Sequence, residues 1–265
     1  MSRYVISDIH GCFDEFTQML KKIAFSPSDE LILGGDYIDR GPQNYEMLEW
    51  IEGAAENVVC LKGNHDMEFS YYVDLMDQIR NREMPELDTE SDSDLIRLYD
   101  ITWNFFNGDD EGLFDHYGTI RELASKNRVS FGKLKKWSDM INGFDYYKEM
   151  ELDGRRCIVV HAGYIDSFKD SWLRGKYNRR ETFFLYARDD AYIHGGVENG
   201  MIIAGHTPTI SKGEITSNEG KVYRFYNESK NCIFYDIDCG CVFRKVDADS
   251  RLAALRLEDG RVFYV

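Results

Sequence analysis

Six histidines occur in the 265-residue chain, and four of them stand directly behind short apolar runs: His10 in SDIHG, His65 in GNHD, His161 in HAG and His206 in GHTP. A fifth polar cluster, GGDYIDRGP at 34–42, follows Leu31, Ile32 and Leu33 and sets Asp36 and Asp39 three residues apart, with Arg40 beside the second. A lone histidine after a strand is ordinarily a hydrogen-bonded loop residue. Several of them together with aspartates and an asparagine make a donor set. Asp8, His10, Asp36, Asn64, His161 and His206 offer hard oxygens and borderline imidazole nitrogens, which suit Mn2+, Fe or Zn2+ and suit soft, thiolate-seeking metals poorly. That is too many donors for one tetrahedral ion. It matches two ions sharing a carboxylate, the arrangement in which metals ~3.5–4 Å apart clamp an in-line displacement at phosphorus.

For these clusters to meet, the chain must bring strand ends together. Over about the first 70 residues it alternates RYVIS, CFDEFTQMLKKI, ELILGG, NYEMLEWIEG and NVVCLKG, a β-α-β-α-β rhythm that predicts parallel strands covered by helices. Ligands bind at the carboxyl ends of such strands, so SDIHG, GDYIDRG and GNHD are expected to converge. From about 70 to 148 the patterns become helical (YYVDLMDQIR, DLIRLYDITWNFF, RVSFGKLKKWSDMI), interrupted by EMPELDTESDSD, whose acids without a base read as a solvated loop. Strand patterns return in DYYKEMELDGRRCIVVHAG, with Asp153-Gly154 as a hairpin turn, and in MIIAGHTP. KVYRFYN, CIFYDID, RLAALRLEDG and RVFYV then read as successive strands of a second sheet packed on the first. The expectation is an α/β fold, one domain over 1–265 with a helical insertion at about 70–148.

Composition narrows the setting. Against 47 acidic residues stand 32 basic ones, and the formal charge of −15 repels polyanions and disfavours binding to a nucleic acid duplex through its phosphates. No run approaches the ~18 apolar residues of a membrane span and the first residues form a strand pattern, so a cytoplasmic protein without a membrane partner is expected. Six cysteines without a CxxC pair argue against a disulfide framework or a zinc ribbon, and read as small buried apolar residues.

Taken in order, DxHG, GDxxDRG, GNHD, HAG and GHTP resemble the calcineurin-type metallophosphoesterases, specifically the phosphoprotein phosphatase branch in its bacterial form. The resemblance covers most of residues 4 to 75 and 155 to 245. It implies a β-sandwich flanked by helices in αββα layers. It implies Asp8 and His10 at a first divalent ion, Asp36 bridging to a second, and Asn64, His161 and His206 completing that second site, with Mn2+ the first choice and Fe or Zn2+ the others. A water activated between the ions would attack phosphorus. His65 is similar to the family's general acid and Asp39 to the acid that orients it. Arg40 would grip phosphate in a bidentate fork, with Asn64 beside it. A second phosphate-gripping arginine is expected between HAG and GHTP, where Arg188 in FFLYARDD is chosen over Arg174, Arg179 and Arg180. Ser7 stands where the family usually has glycine, and Asp66 where a glutamate is common.

The resemblance leaves two substrate classes. Phosphoserine or phosphothreonine in proteins, or a small phosphoester, comes first, because the acidic chain offers no evident basic platform for a string of phosphates. Symmetrical hydrolysis of diadenosine tetraphosphate is the alternative. It would want an aromatic wall for a base, for which Trp103, Phe105, Phe106 and Tyr117 are candidates, although their spacing also reads as helical core. The oligomeric state is left open.

Overall fold

Side-chain alternation along the strands decides which layers form, and the computed structural model, which describes residues 1–87, 91–107 and 114–265, shows two of them back to back. Strands β1 (Arg3–Ile6), β2 (Glu30–Leu33) and β3 (Val58–Cys60) run parallel, connected by helices α1 (Phe13–Lys22) and α2 (Asn44–Glu52). The next strands, β4 (Tyr147–Leu152) and β5 (Arg155–Val160), are the hairpin turning at Asp153-Gly154, and β6 (Gly200–Ala204) lies parallel to β5. Strands β7 (Tyr223–Asn227) and β8 (Cys232–Asp236) complete this second sheet in the order β4-β5-β6-β8-β7.

The last two strands, β9 (Ala253–Arg256) and β10 (Val262–Tyr264), depart from expectation. They belong to the first sheet, in the order β10-β9-β1-β2-β3, with Val5 opposite Leu255. The reason lies in RLAALRL: Leu252 and Ala254 face the helices while Leu255 and Leu257 face the other sheet. A strand apolar on both faces fits a central position in either layer, so its pattern does not choose between them.

Between the sheets Val5, Ile32, Leu61 and Leu255 meet Cys157, Val159, Ile203 and Ile237. Neighbours one residue away point outward: Tyr4, Ile6, Leu31 and Leu33 into the helices over the first sheet, Ile158, Val160, Ile202 and Phe234 into those over the second. Each fully buried aliphatic side chain in these layers contributes about 1.5–3 kcal/mol. Helices α3 (Asn64–Glu83), α4 (Asp92–Asn107), α5 (Thr119–Ser125) and α6 (Phe131–Asn142) follow β3 and share the core of α1 and α2. Glu52 on α2 accepts from Trp137 Nε1 at 2.6 Å and Lys133 Nζ at 2.7 Å, and also pairs with Lys136, which ties α6 to the sheet's own helices. The second sheet is covered by α7 (Ser171–Tyr177), α8 (Arg180–Tyr186) and α9 (Asp189–Ile193).

The acidic run is shorter as a loop than its composition suggests, since Glu83 ends α3 and α4 opens at residue 92; residues 88–90 lie outside the described residues. All six cysteines are free, and all but the half-buried Cys60 are buried. Among the described residues no helix is long and apolar enough to cross a membrane.

Candidate active site

Parallel registry brings the strand ends level, Ile6 beside Leu33 and Leu33 beside Cys60, so the loops that follow reach one place. Asp8 and His10 come from the loop after β1, Asp36, Asp39 and Arg40 from that after β2, and Asn64 and His65 from the first turn of α3. Across the junction of the two sheets His161 follows β5 and His206 follows β6. The backbone there is unusual: φ is positive at Asp8 (54°), His10 (48°), Asp36 (56°), Asp39 (70°), Arg40 (68°) and His206 (72°). Such conformations persist only where the surroundings over-determine them. Asp66 supplies much of that constraint, its buried carboxylate accepting the backbone N–H groups of Asp36 (2.7 Å), Tyr37 (3.0 Å) and Gly63 (2.9 Å). Close approach also demands glycine, because a Cβ at Gly35 would lie 2.5 Å from the Gly63 nitrogen and one at Gly41 1.9 Å from the His10 carbonyl oxygen.

Hydrogen bonds to carbonyls set the imidazoles. His10 Nδ1–H donates to the Ile38 oxygen at 2.8 Å and His161 Nδ1–H to the Gly34 oxygen at 3.0 Å. A carbonyl only accepts, so each ring turns an Nε2 lone pair inward. His10 Nε2 lies 3.5 Å from Asp36 Oδ2, with Arg40 Nη1 at 3.4 Å from the same nitrogen. His161 Nε2 lies 3.5 Å from Asp36 Oδ1, 3.0 Å from Asn64 Oδ1 and 3.2 Å from His206 Nδ1. Lone pairs thus face the oxygens of Asp36 and Asn64, while Arg40 Nη1–H is placed to donate to His10. Burial pushes Asp36 well above the usual carboxylate range, with the charges of Asp8 and Asp66 adding to it, and holds His10 and His206 well below the usual imidazole value. Crowded acceptors in a dry place are a site that a cation stabilises, and the donor types fit divalent ions. Two three-residue groups share Asp36: His10, Asp36 and His65, and Asp36, His161 and His206, with ligand atoms within 4.8 Å of one another in each. Asp8 reaches the same place but is in neither group; its carboxylate accepts the His206 N–H at 3.1 Å and the Ser7 hydroxyl at 2.5 Å.

Asp36 and Asp39 divide their work. Asp39 Oδ2 accepts His65 Nδ1–H at 2.7 Å and its Oδ1 accepts the Thr119 hydroxyl at 2.5 Å, while the His65 backbone N–H donates to Asp36 Oδ1 at 3.0 Å. His65 Nε2 is left facing the cavity, 3.9 Å from Asp36 Oδ2. Burial raises Asp39 to about 6. Burial and then the Arg40 charge lower His65 to about 3.

The sequence model of the calcineurin-like phosphoesterases matches residues 1–235. The chain belongs to that family. Members of the family are metal-dependent hydrolases built on a dinuclear divalent centre. Among its relatives, the symmetrical bis(5'-nucleosyl)-tetraphosphatase of Buchnera aphidicola subsp. Baizongia pistaciae is 38% identical over 104 residues, 39% of this chain and 35% of that protein. The protein of the same name from Chromobacterium violaceum is 46% identical over 68 residues, 25% of this chain and 24% of its own length. The chain therefore matches about a third or less of the curated relatives' length. Two solved structures share its fold at 14% identity: a candidate diadenosine tetraphosphatase (TM-score 0.52, all of this chain and 92% of that one) and a protein serine/threonine phosphatase from Saccharomyces cerevisiae (TM-score 0.50, all of this chain and 79% of that one).

In this chain a cavity of about 300 Å3 opens over the donor cluster, with Arg40 and Arg188 both on its wall. Arg174 and Arg180 point elsewhere, donating to the carbonyls of Phe168 and Ile165. Of the four aromatic candidates Tyr117 lines the cavity, its ring 5.2 Å from the Arg40 guanidinium carbon; Trp103 and Phe106 pack on the helical core and Phe105 is exposed. Sequence reasoning missed Glu68, His116 and Tyr186 on the same wall, and Thr119 behind Asp39. Glu68, whose carboxylate accepts the Tyr186 hydroxyl at 3.0 Å, sits one turn beyond Asn64 on α3, so helical spacing could have found it. Asp238, buried two residues after β8 and raised by burial and by Asp8, obeys the same strand-end rule as the others.

Proposed function

We propose that the chain hydrolyses phosphomonoesters with two divalent ions, Mn2+ foremost, held by Asp8, His10, Asp36, Asn64, His161 and His206, and that phosphoserine or phosphothreonine in proteins is its substrate. The observation that carries this reading is the buried acceptor cluster around Asp36 beneath a cavity walled by two arginines. When bound, the ions supply a nucleophilic water at neutral pH and offset charge on the phosphoryl oxygens. The chain's own residues do the rest. Arg40 and Arg188 hold the phosphoryl group, Arg40 braced by the Tyr117 hydroxyl 3.3 Å from Nη2, and Asn64 approaches from α3. His65 hands a proton from Nε2 to the leaving oxygen while Asp39 fixes the ring through Nδ1. Burial is the larger of the effects that lower His65; a phosphate dianion against Arg40 offsets the second of them, and Asp39 at 2.7 Å favours the imidazolium. Two guanidiniums match one phosphoryl group, and no other lysine or arginine lines this cavity among the described residues. A cytoplasmic setting goes with that substrate.

Symmetrical dinucleoside tetraphosphate hydrolysis is the second reading, favoured by the names of the curated relatives and by Tyr117 and Tyr186 as surfaces for a base. Metal-stripped protein reloaded with Mn2+ and offered a phosphoserine peptide, p-nitrophenyl phosphate and diadenosine tetraphosphate tests both. The expected result is the highest kcat/KM on the phosphopeptide. Turnover in protein shown metal-free by elemental analysis refutes the metal site, and dominant cleavage of the dinucleotide into two equal halves moves the substrate to the second reading.

A further inference from the structure

Beside the cavity, two thiols from opposite ends of the chain meet. Cys12 follows His10 and Gly11 in the loop after β1, and Cys241 opens the short 3-10 turn Cys241–Phe243 beyond β8. Their sulfurs and a Glu15 carboxylate oxygen all lie within 4.8 Å of one another. A third metal site is the first thing such a group suggests, but the Glu15 carboxylate is already engaged by the Arg244 guanidinium. The two thiols remain. They are nearly inaccessible to bulk solvent, at 5% and 2% exposure, yet both line a second cavity of about 460 Å3. Arg40 borders this cavity as well as the one over the donor cluster, so the two adjoin at the arginine. Small molecules can approach the pair through this second cavity, which both thiols line.

We propose that Cys12 and Cys241 are a reversible dithiol switch, closed to a disulfide by hydrogen peroxide, that lowers turnover. One sulfur attacks a peroxide oxygen, the O–O bond breaks, and a sulfenic acid forms with release of water. The second sulfur displaces the sulfenic oxygen, which leaves with the remaining thiol proton as a second water. Two thiols are oxidised and one peroxide is reduced. A disulfide holds its sulfurs ~2.05 Å apart, so the pair must close from its present spacing. Cys12 Sγ lies 3.7 Å from the His10 carbonyl oxygen, and Asp238 Oδ1 accepts the N–H of Gly240, the residue before Cys241. Closure thus pulls on the loop that carries His10 and on the turn anchored by Asp238. A shift of ~1 Å at a catalytic site is enough to reduce turnover by about 10²-fold.

Wild-type protein loaded with Mn2+ is treated with hydrogen peroxide, capped with iodoacetamide, digested without reduction and mapped by mass spectrometry. The expected product is the Cys12 peptide joined to the Cys241 peptide, two hydrogens lighter than the sum. It should accumulate in step with a tenfold or larger loss of p-nitrophenyl phosphate turnover, a figure of the order set by ~1 Å displacements, and dithiothreitol should reverse both. Cys239→Ser should behave as wild type, and Cys241→Ser should keep its turnover under peroxide. Cys12 and Cys241 recovered on separate peptides overturn the disulfide, a readout that needs no activity and so stands apart from the hydrolase reading. Linked peptides with unaltered turnover, or equal inactivation of Cys241→Ser, overturn the switch.

Discussion

Replacing Asp39 by asparagine leaves the shape of the site and removes one charge from behind His65. Both carboxylate oxygens are engaged, Oδ2 by His65 Nδ1–H at 2.7 Å and Oδ1 by the Thr119 hydroxyl at 2.5 Å, and both Asp39 and His65 are buried. An asparagine keeps one acceptor. If its oxygen stays with Thr119, its NH2 faces Nδ1 and drives the ring proton to Nε2 on a neutral imidazole; if it flips, the ring keeps its tautomer but loses the anion that supports its charged form. Either way a charge-assisted hydrogen bond worth about 1.5–3 kcal/mol is lost. At 1.36 kcal/mol per tenfold, that is about 10- to 150-fold in rate. The loss should fall on substrates whose leaving oxygen needs a proton. Steady-state kcat/KM for phosphoserine is therefore expected to drop by that factor, and for p-nitrophenyl phosphate, whose phenolate departs unaided, by far less. Metal content by elemental analysis should match wild type, and Thr119→Val should show the same selectivity in weaker form. Equal losses on the two substrates with both ions retained would refute His65 as the proton donor.

Arg40→Ala is expected to raise KM and lower kcat, together about 10²–10³-fold as for loss of one donor to developing charge, while the melting temperature stays near wild type; lost stability with unaltered kinetics would make Arg40 a structural residue. Asp66→Ala leaves three buried N–H groups without an acceptor and should lower unfolding free energy in urea by about 3 kcal/mol or more, at roughly 1 kcal/mol or more per orphaned donor. An unshifted midpoint would show that the Asp36 loop holds itself. Glu52 is held near 2, first by its bond to Lys133 and then by Lys136, against an ordinary 4.5. Because the folded-state value is depressed, this stabilisation is full above the unfolded value and fades as pH falls from there toward 2. Glu52→Gln should thus be about 1 kcal/mol less stable than wild type near neutrality and converge with it in acid, as partly exposed pairs do; parallel acid titrations of the two proteins would refute the linkage.

The gathering of these residues in one place was legible because each stands just past an apolar run, and a parallel sheet turns that sequence position into a spatial one. His10, His65, His161 and His206 needed nothing more than strand ends on two sheets. Asp238 satisfied the same rule but carried no histidine to draw notice. Thr119 and His116 had no such punctuation, since the docking of α5 against the loop after β2, rather than any local pattern, brings them to Asp39 and Arg40; Tyr117 was a candidate only for its aromatic ring. Asp66 was visible only as a departure from a common glutamate; its three partners are backbone groups, which leave no mark in side-chain identity. The placing of β9 was illegible for a different reason, being apolar on both faces.

On the proposed function, the left-handed backbone at Asp8, His10, Asp36, Asp39, Arg40 and His206 sets activity against folding. Each of these positions would be more relaxed as glycine, at a gain on the order of 1 kcal/mol where no contact is lost. Selection for thermal robustness alone would erode the loops one residue at a time, so that a hardened descendant of this chain would be expected to keep both sheets and lose its donors. The layer of Val5, Ile32, Val159 and Ile203 between the sheets is then more than scaffold: its surplus of burial is the tolerance that allows six unfavourable conformations to be held in one place.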